Sequence, residues 1–159
     1  MKKTLLSMTL TTLLVAAGAA TAIEQRPILT LEVAKKMAAA CEARAKQEGW
    51  KMNIAILDSG GNLKHFSRMD DSFLKSIEIA QLKAATSAGL PFSTKQIGEI
   101  AAKVPGIAFV PGIVTFEGGL PILTADGKHI GSIGVSGASA EQDGLCAQAG
   151  LDAVKNDLK

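Results

Sequence analysis

The sequence predicts an α/β protein of the α+β type, in which helices cover an antiparallel sheet. Turns rich in glycine join consecutive strand-like segments, first at Asp58–Asn62 and later at Asp126-Gly127. Such turns are typical of hairpins, which pair neighbouring strands antiparallel. Helix-like segments with capping residues stand near both ends of the chain. Because the apolar faces of a sheet need cover, we expect these helices to pack against it.

In the first half of the chain, hydrophobic spacing predicts a helix, a hairpin and a second helix. Thr30 can cap the first helix and Gly49 can end it, with Cys41 on the apolar stripe between them. Glycines 60 and 61 can adopt the positive φ angles that a tight turn needs. The predicted elements are a helix from Thr30 to about residue 48, strands at about 52–56 and 63–69, and a helix from about 71 to 88.

In the second half, capping-box patterns mark the starts of two helices. Ser93 with Gln96 begins a short helix, and Ser139 with Gln142 begins the last one, which carries Cys146. A loop rich in apolar residues, proline and glycine follows the short helix. The predicted strands are at about 113–116, 121–123 and 129–136, and the last helix runs to about residue 158. The order α-β-β-α-α-β-β-β-α predicts a five-stranded sheet in one domain, without linker or repeat.

The first 22 residues carry the three parts of a cleavable secretory signal. Two lysines follow Met1, an apolar run covers residues 4–20, and Ala20-Thr21-Ala22 forms a small-residue cleavage site. A membrane anchor would need about 20 continuous apolar residues, whereas Ser7 and three threonines interrupt this run. We therefore expect a periplasmic or secreted protein, with a single domain over residues 23–159 and no membrane span after signal removal.

The net charge of the expected mature chain argues against nucleic acid and anionic membranes as partners. The 17 basic residues include Lys2 and Lys3, so the remaining basic residues balance the 15 acidic ones. A neutral domain has no electrostatic attraction for nucleic acid or for an anionic membrane. Weak self-repulsion also permits homo-oligomers.

Two cysteines, Cys41 and Cys146, lie near opposite ends of the expected mature chain. Each is on the apolar stripe of a predicted helix. A disulfide can join them in an oxidising compartment if those helices pack together. The alternative is that both are small core residues.

Few residues suit a metal. The chain has two histidines, His65 and His129, and no Cys-x-x-Cys or His-x-x-x-His pattern, which argues against a closed zinc site. Haem iron needs only one or two axial ligands. His65, in the second predicted strand, is therefore the candidate ligand, with a hydrogen-bonded sheet histidine as the alternative. His129 lies beside a turn and is more typical of a solvated residue.

Two glycine motifs resemble catalytic or nucleotide motifs without matching them. Gly131, Gly134 and Gly137 have the spacing G-x-x-G-x-x-G, whereas the dinucleotide fingerprint is G-x-G-x-x-G in a βαβ unit. Ser136 lacks a spacer residue of the G-x-S-x-G nucleophile elbow. These glycines therefore indicate close backbone packing.

Charged residues suggest a binding role. Arg68, beside Asp70 and Asp71, could hold a carboxylate such as a haem propionate, or it could form a salt bridge at the corner between strand and helix. Lys83 stands among apolar neighbours in the second helix. A lysine there either extends its amine to solvent or forms a buried partner for an acid.

Several motifs in order resemble the GlcG/HbpS-like haem-binding family, which includes the C-terminal domain of PduO-type proteins. The similarity covers about residues 28–155. The matching motifs are Asp58-x-Gly60-Gly61-x-Leu63, Arg68-x-Asp70, Lys83-Ala84-x-Thr86, Gly118-Gly119-x-Pro121-Ile122, Asp126-Gly127, Gly131-x-Ile133-Gly134-Val135-Ser136-Gly137 and Gln142-Asp143. The resemblance implies a profilin-like fold with a five-stranded antiparallel sheet between helices, assembly into homo-oligomers, and in some members binding of haem.

The leading hypothesis is therefore an exported, non-catalytic protein that binds haem, a related tetrapyrrole or another planar hydrophobic ligand. Its site would combine an apolar pocket with charged residues and His65 as the ligand of the haem iron. The candidate binding residues are His65, Arg68, Met69, Asp70, Lys83, Phe92, Phe109 and Phe116.

Two other classes of function stay open. One is an enzyme for a small organic acid or aromatic metabolite, in which Asp70, Lys83 or Asp143 acts as an acid–base group. The other is a structural or interaction subunit of a homo-oligomer, in which the glycines serve only packing.

Overall fold

A computed structural model describes residues 26–159, so the expected signal peptide at residues 1–22 lies outside the described residues. The described elements are α1 (Leu31–Glu48), β1 (Asn53–Asp58), β2 (Leu63–Arg68), α2 (Leu74–Gly89), α3 (Thr94–Lys103), a 3₁₀ helix (Pro105–Phe109), β3 (Gly119–Leu123), β4 (His129–Ser136) and α4 (Ala140–Val154).

Four strands form one antiparallel sheet in the order β2-β1-β4-β3. Ile54 and Ile56 of β1 pack in the main core with residues of α1 and α4. Ala55 of β1 packs instead with Ala80 and Ala84 of α2. Successive side chains of a strand point to opposite faces, so α1 and α4 cover one face and α2 covers the other. The expected antiparallel sheet between helices is confirmed.

The prediction of a fifth strand at residues 113–116 is wrong, because this segment has no strand conformation. The Val114 amide in this segment donates its hydrogen bond to a helix instead of a neighbouring strand. The Thr86 hydroxyl of α2 accepts a hydrogen bond from the Val114 amide at 3.0 Å and lies 3.2 Å from the Gly112 carbonyl oxygen. The segment packs against α2, and the sheet formed by the described residues has four strands.

Three of the four described α-helices begin where the capping signals predict. Thr30 accepts from the Val33 amide at 3.2 Å, and Gly49 ends α1 with a φ of 75°. Both predicted capping boxes are present. The exception is α2, which begins at Leu74 because Asp71 has a φ of 61° that a helix cannot contain. The last helix also ends earlier than predicted, at Val154.

A disulfide joins Cys41 of α1 to Cys146 of α4, with the two Cα atoms 4.7 Å apart. Both residues are fully buried in the main core. Of the two interpretations of these cysteines, the structure has the disulfide. It links the first and last helices across the face of the sheet that they cover.

Within residues 26–159, no helix has both the length and the apolar composition that a membrane span requires.

One glycine of the central strand β4 determines how closely α2 can approach the sheet. A methyl group on Gly134 would overlap the backbone of Ala80 and Ala84 in α2. We expect Gly134→Ala to lower the free energy of unfolding by about 1–3 kcal/mol, as overpacking in a core does. The matched control is Gly89→Ala, since an added methyl group there would meet no atom of another part of the chain within 4 Å. Urea denaturation measures both variants, and equal midpoints would contradict the close approach.

Candidate functional site

A strongly apolar groove lies between α2, α3 and the segment that contains the 3₁₀ helix. We call it the α2–α3 groove, and its volume is about 560 Å³. Its lining residues are Ala85, Thr86, Gly89, Leu90, Phe92, Ile97, Ile100, Ile107, Val110 and Ile113.

Three local features build the walls of this groove. The C-terminal part of α2 forms one wall, including Thr86. The capping box of Ser93 starts α3 so that Ile97 and Ile100, one turn apart, form a second wall. Residues 107–113 form the third wall, and the bonds from Thr86 to Gly112 and Val114 hold that segment against α2. The third wall is thus the predicted loop together with Ile113, the first residue of the segment expected to be a strand.

Large apolar side chains in the groove are exposed to solvent. Val110 is 50% exposed, Phe92 44% and Ile100 37%. Removing such surface from water stabilises a complex by roughly 25 cal/mol per Å² of apolar area. A concentrated apolar patch of this kind is typical of a site that binds a ligand or a partner.

The polar groups of the groove are few. Among the described residues that line it, none is charged and none is a histidine, cysteine or methionine. The single hydroxyl is that of Thr86, which already accepts from Val114 and contacts two carbonyl oxygens. The groove therefore offers apolar contacts and leaves iron ligation or carboxylate binding without an obvious donor.

A buried ion pair lies elsewhere, between α2 and α4. Lys83 Nζ is 2.7 Å from Asp143 Oδ2 and donates a further hydrogen bond to the Val135 carbonyl at 3.0 Å. The two side chains are 0% and 3% exposed. The Ala138 amide donates to the other carboxylate oxygen of Asp143 at 3.0 Å. Of the two interpretations of Lys83, the structure has the buried partner of an acid.

Burial dominates the electrostatics of this pair. Desolvation lowers the pKa of Lys83, although the adjacent Asp143 carboxylate opposes that change. Desolvation likewise raises the pKa of Asp143 against the attraction of Lys83. The amine also lies 4.8 Å from the centroid of the Phe116 ring, within cation–π distance. The donors and acceptors of Lys83 and Asp143 are thus directed at each other and at the backbone.

His65 lies on a different face of the sheet from the groove. It is directly opposite Ile56, whose side chain belongs to the core beneath α1 and α4. Paired residues of an antiparallel sheet point to the same face, whereas α2 covers the opposite face. The His65 imidazole Nε2 is 3.1 Å from the Ser67 hydroxyl, so the ring has a hydrogen-bond partner within its own strand.

Three other predicted residues meet at the end of β2. Arg68, Met69 and Asp70 line a small pocket of about 280 Å³ together with Lys51 and two residues of α1, Glu42 and Lys46. This pocket is separate from the groove, since the two share no lining residue.

The predicted aromatic residues divide among three places. Phe92 lines the groove, Phe116 covers Lys83, and Phe109 projects from the 3₁₀ helix with 83% exposure. His129 lies with Arg26 and Lys128 in a pocket at the start of β4. The structure therefore brings Lys83 to Phe116, and Arg68 to Met69 and Asp70, but does not assemble all eight candidates into one site.

Sequence reasoning missed most of the groove. The sequence predicts the short helix that carries Ile97 and Ile100 without assigning either residue a binding role, and it predicts a loop at 107–112 followed by a strand. The available signal was the loop itself, because three large aliphatic residues within one proline- and glycine-rich segment exceed what a solvated loop needs.

Known proteins resemble this chain in sequence and in fold. Residues 29–152 match a family model described as haem degrading protein HbpS-like. Protein GlcG of Escherichia coli K12 is 36% identical over 116 residues, which cover 72% of this chain and 85% of GlcG.

Two solved structures resemble the fold over most of its length. The crystal structure of HbpS has a TM-score of 0.79 and 32% identity, covering 87% of this chain and 99% of HbpS. The crystal structure of a PduOC:heme complex has a TM-score of 0.73 and 30% identity, covering 80% of this chain and 95% of that one. The second of these was solved with heme present.

Proposed function

The chain belongs to the HbpS-like family, and from this premise we propose that it binds haem or a closely related tetrapyrrole in the α2–α3 groove. The observation that carries the proposal is the groove itself, an apolar cleft of about 560 Å³ with half-exposed Phe92 and Val110 at its walls. That volume is within the range of small-molecule sites, which are lined mainly by apolar side chains.

The apolar part of the ligand fits the walls, which offer no side-chain partner for its iron or its carboxylates. Haem is a flat macrocycle that is mostly apolar, with two carboxylates on one edge. Ile100, Val110 and Phe92 would contact the ring, and the open side of the cleft would leave the carboxylates in water. When bound, haem would supply an iron centre able to take a further ligand or exchange an electron.

Several finer features form part of the same proposal. A periplasmic or secreted location fits the disulfide, since disulfides persist in oxidising compartments. A non-catalytic role fits Lys83 and Asp143, which are buried and bonded to each other rather than open to a substrate. Homo-oligomers are expected from the family resemblance, and light scattering of the purified protein measures their size.

Introducing a negative charge into the groove tests where haem binds. We expect Phe92→Glu and Val110→Glu each to raise the dissociation constant for hemin at least tenfold, because each places a charge against an apolar ring. The matched control is Phe109→Glu, at an exposed phenylalanine outside the groove lining. Titration of purified protein with hemin, followed by the Soret band, measures all three.

These titrations test separately whether the protein binds haem and whether it does so in the groove. If the wild-type protein gives no saturable Soret change at micromolar hemin, haem binding is wrong. If hemin binds equally to wild type and to both groove variants, haem binds elsewhere on the chain. In addition, we expect His65→Ala to leave the titration unchanged, since His65 is on the other face of the sheet.

A further inference from the structure

Resting on the proposed function, we infer that the α2–α3 groove recognises the flat porphyrin ring rather than its iron, so that it also binds iron-free porphyrins. Iron-free porphyrins have nearly the same shape and apolar area as haem. What distinguishes them is the absence of a metal that a protein side chain can ligate.

Potential axial ligands all lie away from the groove in the described part of the chain. His65 is on the opposite face of the sheet, and His129 lines the pocket at the start of β4. Cys41 and Cys146 are joined to each other. The described methionines do not line the groove either, since Met37 and Met52 are buried in the main core and Met69 is at the end of β2.

The one polar side chain of the groove is also committed. Thr86 accepts from the Val114 amide and lies 2.9 Å from the Leu82 carbonyl oxygen, so its proton and one of its two lone pairs are used within the fold. Since the residue is also only 2% exposed, its hydroxyl is not presented to a ligand in the groove.

The described lining of the groove also lacks a cationic side chain that could bind the haem carboxylates. Lys83 is buried against Asp143, and Arg68 lies at the end of β2. No lysine or arginine is among the described residues of the groove. With neither a metal ligand nor a cation, the contacts that remain are those between aliphatic or aromatic side chains and the face of the ring.

The affinities of hemin and protoporphyrin IX for the groove should therefore be similar. Iron coordination contributes to affinity only if a side chain reaches the metal, whereas burial of the ring contributes in proportion to its apolar area. Because both ligands bury the same ring, we expect the dissociation constants of hemin and protoporphyrin IX to agree within about threefold.

Parallel titrations of the purified protein test the inference. Protoporphyrin IX is followed by its fluorescence and hemin by its Soret band, each with wild type, Phe92→Glu and the control Phe109→Glu. We expect wild type and the control to bind both ligands, and Phe92→Glu to lose at least tenfold in affinity for both. Bound hemin should also accept added imidazole, with a further Soret shift, because the groove leaves its iron without a histidine.

Each outcome has a distinct meaning. Binding of hemin in the groove without binding of protoporphyrin IX would overturn the inference and leave the proposed function intact. Binding of neither ligand would refute the proposed function as well. Binding of both ligands with no effect of Phe92→Glu would overturn the inference, because recognition would then lie outside the groove.

Discussion

Replacing Cys41 and Cys146 together by alanine is expected to lower the free energy of unfolding by about 3–4 kcal/mol. The disulfide closes a loop with a sequence separation of 105 residues. A cross-link over a loop of that length removes much of the conformational freedom of the unfolded chain, and typical stabilisation is about 2–4 kcal/mol. Alanine is the better replacement, because both positions are fully buried and a serine hydroxyl there would need a hydrogen-bond partner.

Reduction of the wild-type protein separates the cross-link from the packing of its sulfur atoms. Urea denaturation is measured for the oxidised wild type, for the wild type with dithiothreitol and for the double alanine variant. The reduced wild type keeps the side-chain volume and loses only the bond. Equal midpoints for the oxidised and reduced forms would show that the disulfide contributes no stability.

Local signals were enough to predict the helices. Thr30, Ser93 and Ser139 each cap a helix through hydrogen bonds to residues three positions away, so the information is contained in a few neighbouring residues. The start of α2 was predicted less well. Ser72 is oriented by a hydrogen bond to Asn53, nineteen positions away, and no local pattern reports such a contact.

The incorrect fifth strand has the same physical origin. The apolar residues at 113–116 were compatible with a strand, but the choice depended on where their backbone groups find partners. Thr86, twenty-eight positions from Val114, supplies the partner from α2. A contact between residues so far apart in sequence forms only in the folded chain, so local patterns do not report it. For that reason the sequence predicted neither the number of strands nor the shape of the groove.

The candidate site was harder to predict than the fold for a related reason. Alternation in β2 assigns His65 to one face of a strand, but it does not reveal which face α2 covers. That assignment follows from the pairing of His65 with Ile56 and from the packing of Ile56 beneath α1 and α4. The groove likewise combines walls from three segments, so that Phe92 was predicted and its neighbours Ile97 and Ile100 were not.

Removing the positive charge of Lys83 is expected to have the largest effect on stability. We expect Lys83→Met to lower the free energy of unfolding by about 3–5 kcal/mol, because it leaves the Asp143 carboxylate buried without its cation. The variant Lys83→Met/Asp143→Leu should recover most of that loss, since the desolvation of both charges is then avoided. Lys95→Met is the control, because Lys95 pairs with Glu117 at the surface with 60% exposure, where a pair contributes about 0–1 kcal/mol.

The dependence on pH tells whether burial or attraction dominates in the pair. Burial raises the pKa of Asp143 above 3.8 in the folded protein, so acidification toward 3.8 protonates the folded state first and favours it. Burial also lowers the pKa of Lys83 below 10.5, so a rise in pH toward 10.5 favours the folded state. Relative to the apolar double variant, the wild type should therefore be least stable near neutral pH and gain in both directions, as measured by urea denaturation across pH. If the wild type instead loses stability relative to the double variant on acidification toward 3.8, the attraction between the two side chains outweighs their desolvation.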